Sequence, residues 1–143
     1  MNPNEVLLDT CAAIWLANGD PLAPGVNAVL MHAALANGVF VSPVSAWEIG
    51  LLSRPRNGGP PQLQFLPDAK TWFARLMAAP GVREAPFTAA AAIDSAHLPG
   101  ELHGDPADRL LIATARHMGA PIVTRDQKII AYGQAGHVAV IPC

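Results

Sequence analysis

Five acidic side chains are spaced along this chain so that an α/β fold could gather them into one site. Asp9 directly follows a short apolar run that reads as a buried strand, and Asp126 lies just past the end of another, after Arg125. Asp105 and Asp108 stand one helical turn apart at the start of an apolar helix, so both can point the same way from its N-terminus. Because parallel strands end at one edge of a sheet, and ligands bind there, we expect these carboxylates to converge.

The fifth carboxylate is Glu48, on a helix that Ser42 caps and Pro43 opens. The predicted apolar stripe of this helix comprises Val44, Trp47 and Leu51. The positions predicted to face solvent are Ser45, Ala46 and Gly50. Glu48 falls on the stripe, where a carboxylate is costly unless it is paired or binds a metal. The alternative is that it reaches out at the rim of the stripe.

Carboxylates that converge without an intervening Lys or Arg motif repel one another, and divalent cations remove that repulsion. Hard oxygen ligands select Mg²⁺ or Mn²⁺ over zinc. Such a site suits two-metal hydrolysis of a phosphodiester. Helix capping is the alternative role for Asp9, Asp105 and Asp126, although capping and metal binding can coexist at one residue.

The elements that must position these residues alternate between strand and helix. The predicted buried strands cover residues 6–8, 39–41, 121–124 and 138–141, with a further short strand or extended link at 82–86. We therefore predict a single domain over residues 1–143 with a three-layer α/β/α fold. Its central, mostly parallel sheet should have four or five strands.

Composition limits the classes of protein that this chain can represent. It has 143 residues, of which 51% are hydrophobic and 14% charged, which excludes disorder and predicts a well-buried sheet. The formal net charge is −2, and without the five carboxylates the rest of the chain carries +3. An acidic site within a mildly basic surround suits a protein that binds a polyanion. No basic segment precedes the first apolar run, so we expect a cytoplasmic location.

Several other polar residues carry weaker expectations. The two cysteines lack zinc-ligand spacing, and Cys11 is predicted to pack as a small apolar residue. The loop at 53–67 holds Arg54 and Arg56, which are candidates to contact a phosphate backbone or simply solvated. His103 is not counted as a ligand, because a lone loop histidine is more often structural.

Four motifs, in this order and in a chain of this length, resemble the PIN-domain ribonucleases, specifically VapC-type toxins of toxin–antitoxin pairs. The motifs are Leu-Leu-Asp-Thr at 7–10, Ser-Ala-Trp-Glu-Ile at 45–49, Gly-Asp-Pro-Ala-Asp-Arg-Leu-Leu-Ile-Ala-Thr-Ala at 104–115 and Ile-Val-Thr-Arg-Asp at 122–126. Each motif is weak alone, but the four together span nearly the whole chain.

The resemblance implies specific roles for these residues. The metal-binding and catalytic quartet would be Asp9, Glu48, Asp108 and Asp126. Asp105 would match an extra aspartate of one subgroup, and the hydroxyls of Thr10 and Thr124 would lie close by. The resemblance further implies a homodimer, a cognate antitoxin that blocks the acidic site, and an RNA substrate cut to leave a 5′ phosphate and a 3′ hydroxyl.

Other classes of protein that use such acidic residues match this sequence less closely. A phosphatase of the haloacid-dehalogenase type needs a second aspartate two residues after the first, where this chain has Cys11. A phosphoacceptor receiver domain expects an adjacent acidic pair early in the chain, and Asp9 is single. A catalytically inert PIN-like RNA- or protein-binding module is the remaining alternative, and the intact quartet argues against it.

Overall fold

The computed structural model describes residues 2–102 and 104–143, so the expectation for His103 lies outside the described residues. The strands are β1 (Glu5–Leu8), β2 (Gly38–Val41), β3 (Pro55–Arg56), β4 (Gly59–Pro61), β5 (Val82–Glu84), β6 (Ile122–Thr124) and β7 (Val140–Pro142). The helices are α1 (Thr10–Asn18), α2 (Val26–Leu35), α3 (Pro43–Leu52), α4 (Ala69–Met77), α5 (Ala89–Asp94), α6 (Pro106–Met118) and α7 (Gln127–Gln134), and a 3-10 turn covers Ser95–His97. None of the helices in these two stretches has the length and apolar character to cross a membrane.

Five strands form one sheet in the order β5-β2-β1-β6-β7, and all four pairings are parallel. Leu7 at the centre pairs with Phe40 on one side and Ile122 on the other. The core residues of β1 are fully buried, as expected of a strand covered on both faces. The predicted α/β fold with a parallel sheet of four or five strands is therefore confirmed.

Two apolar clusters cover the two faces of the sheet and make the three layers. Val6 and Leu8 pack into one cluster with residues of α1 and α2. Leu7, between them in sequence, packs into the other with residues of α6 and α7. This division follows from the alternation of side chains along a strand.

Four helices begin at the carboxyl edge of the sheet or beside it, each capped by a predicted residue. The N-cap side chains that accept a backbone N–H bond are Asp9 for α1, Ser42 for α3, Asp105 for α6 and Asp126 for α7. The partial positive charge of helix N-termini favours nearby carboxylates. Capping is thus real at three of the five acidic residues, and it fixes where those side chains stand.

The predicted apolar stripe of α3 is wrong. Ser45 is fully buried, whereas Trp47 is 55% exposed and Leu51 is 38% exposed. The buried face runs through Val44, Ser45 and Ile49 because α1 and α6 both pack against α3. Glu48 borders this face and is half-buried, so it does point inward, but from a different stripe.

Two further expectations change in detail. The stretch predicted as a loop at 53–67 contains a small antiparallel hairpin of β3 and β4. The last strand covers Val140–Pro142 instead of 138–141, and it lies at the sheet edge as expected.

Candidate functional site

A cavity of about 310 Å³ opens at the carboxyl edge of the sheet, where β1, α3, α6 and β6 meet. Its lining residues are Asp9, Thr10, Cys11, Trp15, Glu48, Asp108, Arg125 and Asp126. Four of the five carboxylates singled out from the sequence thus line one cavity, although up to 117 residues separate them along the chain. Their convergence is a result of the parallel topology, because Asp9 and Asp126 follow neighbouring strands.

Asp9 is the most buried of these carboxylates, with 6% of its surface exposed. Its Oδ1 accepts a hydrogen bond from the backbone N–H of Ala12 at 2.8 Å, and its Oδ2 accepts one from the Thr124 hydroxyl at 2.5 Å. Burial raises the pKa of Asp9, the two hydrogen bonds oppose that rise, and the charges of Asp108 and Asp126 add to it. The hydrogen bonds therefore hold the side chain in position, while burial and the neighbouring carboxylates disfavour its negative charge.

Asp68 makes the same set of hydrogen bonds without the burial. It caps α4, with Oδ1 accepting from the N–H of Thr71 at 2.8 Å and Oδ2 accepting from the Thr71 hydroxyl at 3.0 Å. Its side chain is exposed, and these hydrogen bonds lower its pKa. The opposite direction at Asp9 comes from burial and neighbouring carboxylates, and not from a lack of hydrogen-bond donors.

Glu48 is tied to the start of α1. The Thr10 hydroxyl donates to its Oε1, and the same hydroxyl oxygen lies 3.0 Å from Oγ of buried Ser45. Burial raises the pKa of Glu48, the Thr10 bond opposes that rise, and the charges of Asp108, Asp105 and Asp9 add to it. The buried serine, which the sequence analysis assigned to solvent, thus belongs to the support of this carboxylate.

Thr124 connects the two aspartates that follow β1 and β6. Its hydroxyl donates to Asp9 and accepts the backbone N–H of Asp126 at 3.0 Å. Oδ1 of Asp126 in turn accepts the N–H groups of Lys128 and Ile129, at 2.8 and 3.1 Å. One fully buried hydroxyl therefore fixes the relative position of two carboxylates across the sheet.

The two aspartates at the start of α6 differ in position. Asp108 lines the cavity, whereas Asp105 does not. Oδ1 of Asp105 accepts the N–H of Asp108 at 3.0 Å, so Asp105 holds the helix end that carries Asp108. The negative charge of Asp105 still contributes to the raised pKa of Glu48.

Cys11 lines the cavity and is exposed, so the prediction that it packs as a small apolar residue is wrong. Partial burial of the thiol, followed by the charges of Asp9, Glu48, Asp108 and Asp126, raises its pKa to about 11. Cys11 is consequently a neutral thiol at pH 7, which makes it a poor nucleophile. All four carboxylates therefore lie near enough to Cys11 to raise the pKa of its thiol.

The donor set fits a hard divalent cation, because four carboxylates supply only oxygen ligands. No three Asp, Glu, His or Cys side chains within residues 2–102 and 104–143 stand close enough to enclose a metal ion by themselves. Mg²⁺ does not require such a cage, since it retains several waters and is commonly bound through one or two carboxylates and a substrate phosphate. The arrangement therefore fits a hydrated Mg²⁺ or Mn²⁺ better than a dehydrated, fully caged ion.

Three residues at or beside the cavity were missed by the sequence analysis: Trp15, Arg125 and Ser45. Arg125 stands next to Asp126 in a motif that was quoted, so adjacency was an available signal. Ser45 likewise opens a quoted motif, one helical turn before Glu48, whereas Trp15 gave no signal, because its position depends on how the helices pack. Arg54 and Arg56 lie exposed at the β3–β4 hairpin, outside the cavity, and their contact with a phosphate backbone stays a prediction.

Replacing Glu48 by glutamine should leave the metal-free fold intact and weaken metal binding. Glutamine keeps the oxygen that accepts from Thr10, and it removes one of the repelling charges. The folded-state pKa of Glu48 lies above 4.5, its ordinary value, so its contribution to stability is present below that pH and is lost as the pH rises through the folded pKa. In EDTA, E48Q should therefore melt about 1 to 3 °C above the wild type at pH 7, and the difference should vanish near pH 4.

Thermal melts at both pH values and a Mn²⁺ titration measure these effects, with E84Q as a control at an exposed glutamate of β5. A large drop in the melting temperature of metal-free E48Q would instead make Glu48 a structural partner of α1.

Comparison with known proteins gives consistent results. A family model described as "PIN domain" matches residues 6–134. Ribonuclease VapC22 of Mycobacterium tuberculosis (strain ATCC 25618 / H37Rv) is 29% identical over 136 residues, which cover 94% of this chain and 97% of that protein. Among solved structures, VapBC2 from Rickettsia felis, bound to a DNA fragment from its promoter, matches with a TM-score of 0.66 and 16% identity over 96% of this chain and 98% of that one. The sarcin-ricin loop cleaving toxin VapC20 of Mycobacterium tuberculosis matches with a TM-score of 0.55 and 21% identity over 96% and 99%.

Proposed function

The chain belongs to the PIN-domain family, and we propose that it is a Mg²⁺- or Mn²⁺-dependent endoribonuclease that acts as the toxin of a toxin–antitoxin pair. The observation that carries this proposal is the shared cavity of Asp9, Glu48, Asp108 and Asp126, with the raised pKa values of Asp9 and Glu48. The 29% identity to a VapC ribonuclease along nearly its whole length supports RNA as the substrate.

The four carboxylates would hold hydrated cations together, with one or two of them bound directly to an ion and the others reaching it through its waters. When bound, divalent cations supply activation of water and stabilisation of the charge that develops on the phosphate. Asp9 is held ready for this role by the N–H of Ala12 and the hydroxyl of Thr124, which leave lone pairs on both of its oxygens. Glu48 is held by the hydroxyl of Thr10, the residue that follows Asp9. Because burial, with repulsion by the neighbouring carboxylates added to it, raises the pKa values of Asp9 and Glu48, cation binding should release protons at mildly acid pH.

The protonation state of Cys11 argues against one alternative mechanism, in which its thiol attacks the phosphate. The thiol of Cys11 has a pKa of about 11, so it is protonated at neutral pH and is not proposed as a nucleophile. The carboxylates then serve hydrolysis by water instead of a covalent intermediate.

The proposed partners are a cognate antitoxin and a second copy of this chain. The structural relatives include toxin–antitoxin complexes, which supports the antitoxin. An apolar groove of about 720 Å³, bordered by α1, α2 and α4, offers a place for an apolar helix of such a partner. Its lining includes Met31, which is 64% exposed to solvent in this chain alone. An enzyme of this kind would meet its RNA in the cytoplasm.

Cleavage of RNA that requires a divalent cation tests the catalytic part of the proposal. The purified chain, freed of any antitoxin, should cut an RNA pool in Mg²⁺ or Mn²⁺, and EDTA should abolish the cleavage. Cut products should carry 5′ phosphates. No cleavage of any RNA in either metal would favour the alternative, a PIN-like module that binds RNA or protein without catalysis.

Expression in cells tests the toxin part separately. Expression of this chain alone should arrest growth, and co-expression of its cognate antitoxin should restore it. Cleavage in vitro without growth arrest would keep the ribonuclease and reject the toxin.

A further inference from the structure

Arg125 is the one Lys or Arg among the described residues that line the acidic cavity. It directly precedes Asp126 and follows β6, so its backbone is anchored at the same sheet edge as the carboxylates. Within residues 2–102 and 104–143, no ion pair joins Arg125 to a carboxylate side chain. A positive group thus stands at the rim of a negative cavity without neutralising it.

The guanidinium of Arg125 is held in a fixed orientation. Its central carbon lies 3.8 Å from the centroid of the Trp15 ring, which is the distance of a stacked cation–π contact. Its Nη2 donates to the main-chain oxygens of Cys143 at 3.0 Å and Pro21 at 3.2 Å. Side-chain entropy is therefore already lost before any ligand arrives, although the side chain remains exposed.

We propose that Arg125 binds an RNA phosphate next to the scissile one and so positions the strand across the carboxylates; this rests on the proposed function. The planar guanidinium matches two phosphate oxygens. Its Nη2 bonds two main-chain oxygens and the group also hydrogen-bonds the Cys143 side chain, but its five N–H donors exceed these contacts and leave donors for a phosphate. A polyanion that approaches four carboxylates needs a fixed positive contact beside them, and Arg125 is the group that the cavity offers. Trp15 serves as the support for the guanidinium, because one face of its ring is occupied by Arg125.

Replacing Arg125 by glutamine should raise the KM for a short single-stranded RNA about 10- to 100-fold, with a change in kcat of less than about threefold. Arg125→Lys keeps the charge but not the two-pronged geometry, so it should recover part of the affinity. Trp15→Leu leaves the charge and the main-chain bonds in place and should raise KM by a smaller factor. Lys70→Gln removes one exposed positive charge from α4, outside the cavity, and should leave KM unchanged.

Binding without cleavage gives a second readout that does not depend on catalysis. In an Asp9→Asn background, the slope of log K against log salt for a single-stranded RNA should fall by about 0.7 when Arg125 is replaced by glutamine. Unchanged KM and salt slope in Arg125→Gln would overturn the proposal, and a lowered melting temperature alongside would assign Arg125 to holding Cys143 in place. If the wild type cleaves RNA and only this result fails, the proposed function stands. If the wild type neither cleaves nor binds RNA, both fall.

Discussion

Replacing Asp9 by asparagine is expected to lower RNA cleavage about a thousandfold while the protein stays folded. The asparagine side chain would keep an oxygen for the N–H of Ala12, so α1 keeps its cap. It would lose the negative charge through which Asp9 is proposed to hold the cation. Interactions of a metal with the developing charge on a phosphate are worth several kcal/mol, and each 1.4 kcal/mol corresponds to about tenfold in rate. Initial rates on one RNA in saturating Mg²⁺ measure the effect.

Asp68→Asn is a matched control for this substitution. Asp68 caps α4 through a backbone N–H and accepts a threonine hydroxyl, as Asp9 does, but it is exposed and lies outside the cavity. The control should keep full activity, so that a loss in Asp9→Asn alone separates the charge in the cavity from helix capping. Activity within about fivefold of the wild type in Asp9→Asn would contradict the proposed role, as would a melting temperature more than about 5 °C below the wild type in EDTA.

Replacing Thr124 by valine should lower cleavage about 10- to 100-fold, because valine keeps the shape of threonine and loses its hydroxyl. That hydroxyl donates to Asp9 and accepts the N–H of Asp126, so its loss frees both carboxylates to move. Groups that orient metal ligands typically change metal affinity or activity by this factor when removed. The partly buried N–H of Asp126 would also lose its acceptor, which destabilises the fold by about 1 kcal/mol.

Thr114→Val provides the comparison for this second substitution. Thr114 is almost fully buried in α6, and its hydroxyl donates only to the carbonyl of Leu110 one turn earlier. Both variants exchange a buried hydroxyl for a methyl group, but Thr114 touches none of the four carboxylates. Mn²⁺ affinity and cleavage should fall in Thr124→Val and stay unchanged in Thr114→Val. Equal losses in both variants would make the effect one of general stability.

Local sequence determined the parts of this protein that depend on neighbours along the chain. The apolar run before Asp9 specified a strand buried on both faces, and the caps at Ser42, Asp105 and Asp126 specified where helices begin. These features follow from residue type and short spacing, because a cap bonds a backbone N–H two or three residues away. Parallel topology then required the strand ends to share one edge, so Asp9 and Asp126 could be placed together before any coordinates.

Only the tertiary structure decided which faces of the helices are covered and which side chains reach the cavity. The apolar pattern of α3 pointed to Trp47 and Leu51, yet packing against α1 and α6 buries Ser45 and leaves those two exposed. The size and polarity of Cys11 suit an apolar environment, but the structure places it at the cavity, where partial burial and then the charges of the four carboxylates raise its pKa to about 11. Burial of a hydrophobic side chain lowers the free energy of the folded protein whichever residues bury it. The sequence of a helix therefore does not reveal which elements pack against it. The contacts of Thr10 with Glu48 and of Arg125 with Trp15 join residues 38 and 110 positions apart, and such pairs exist only once the helices and strands have packed.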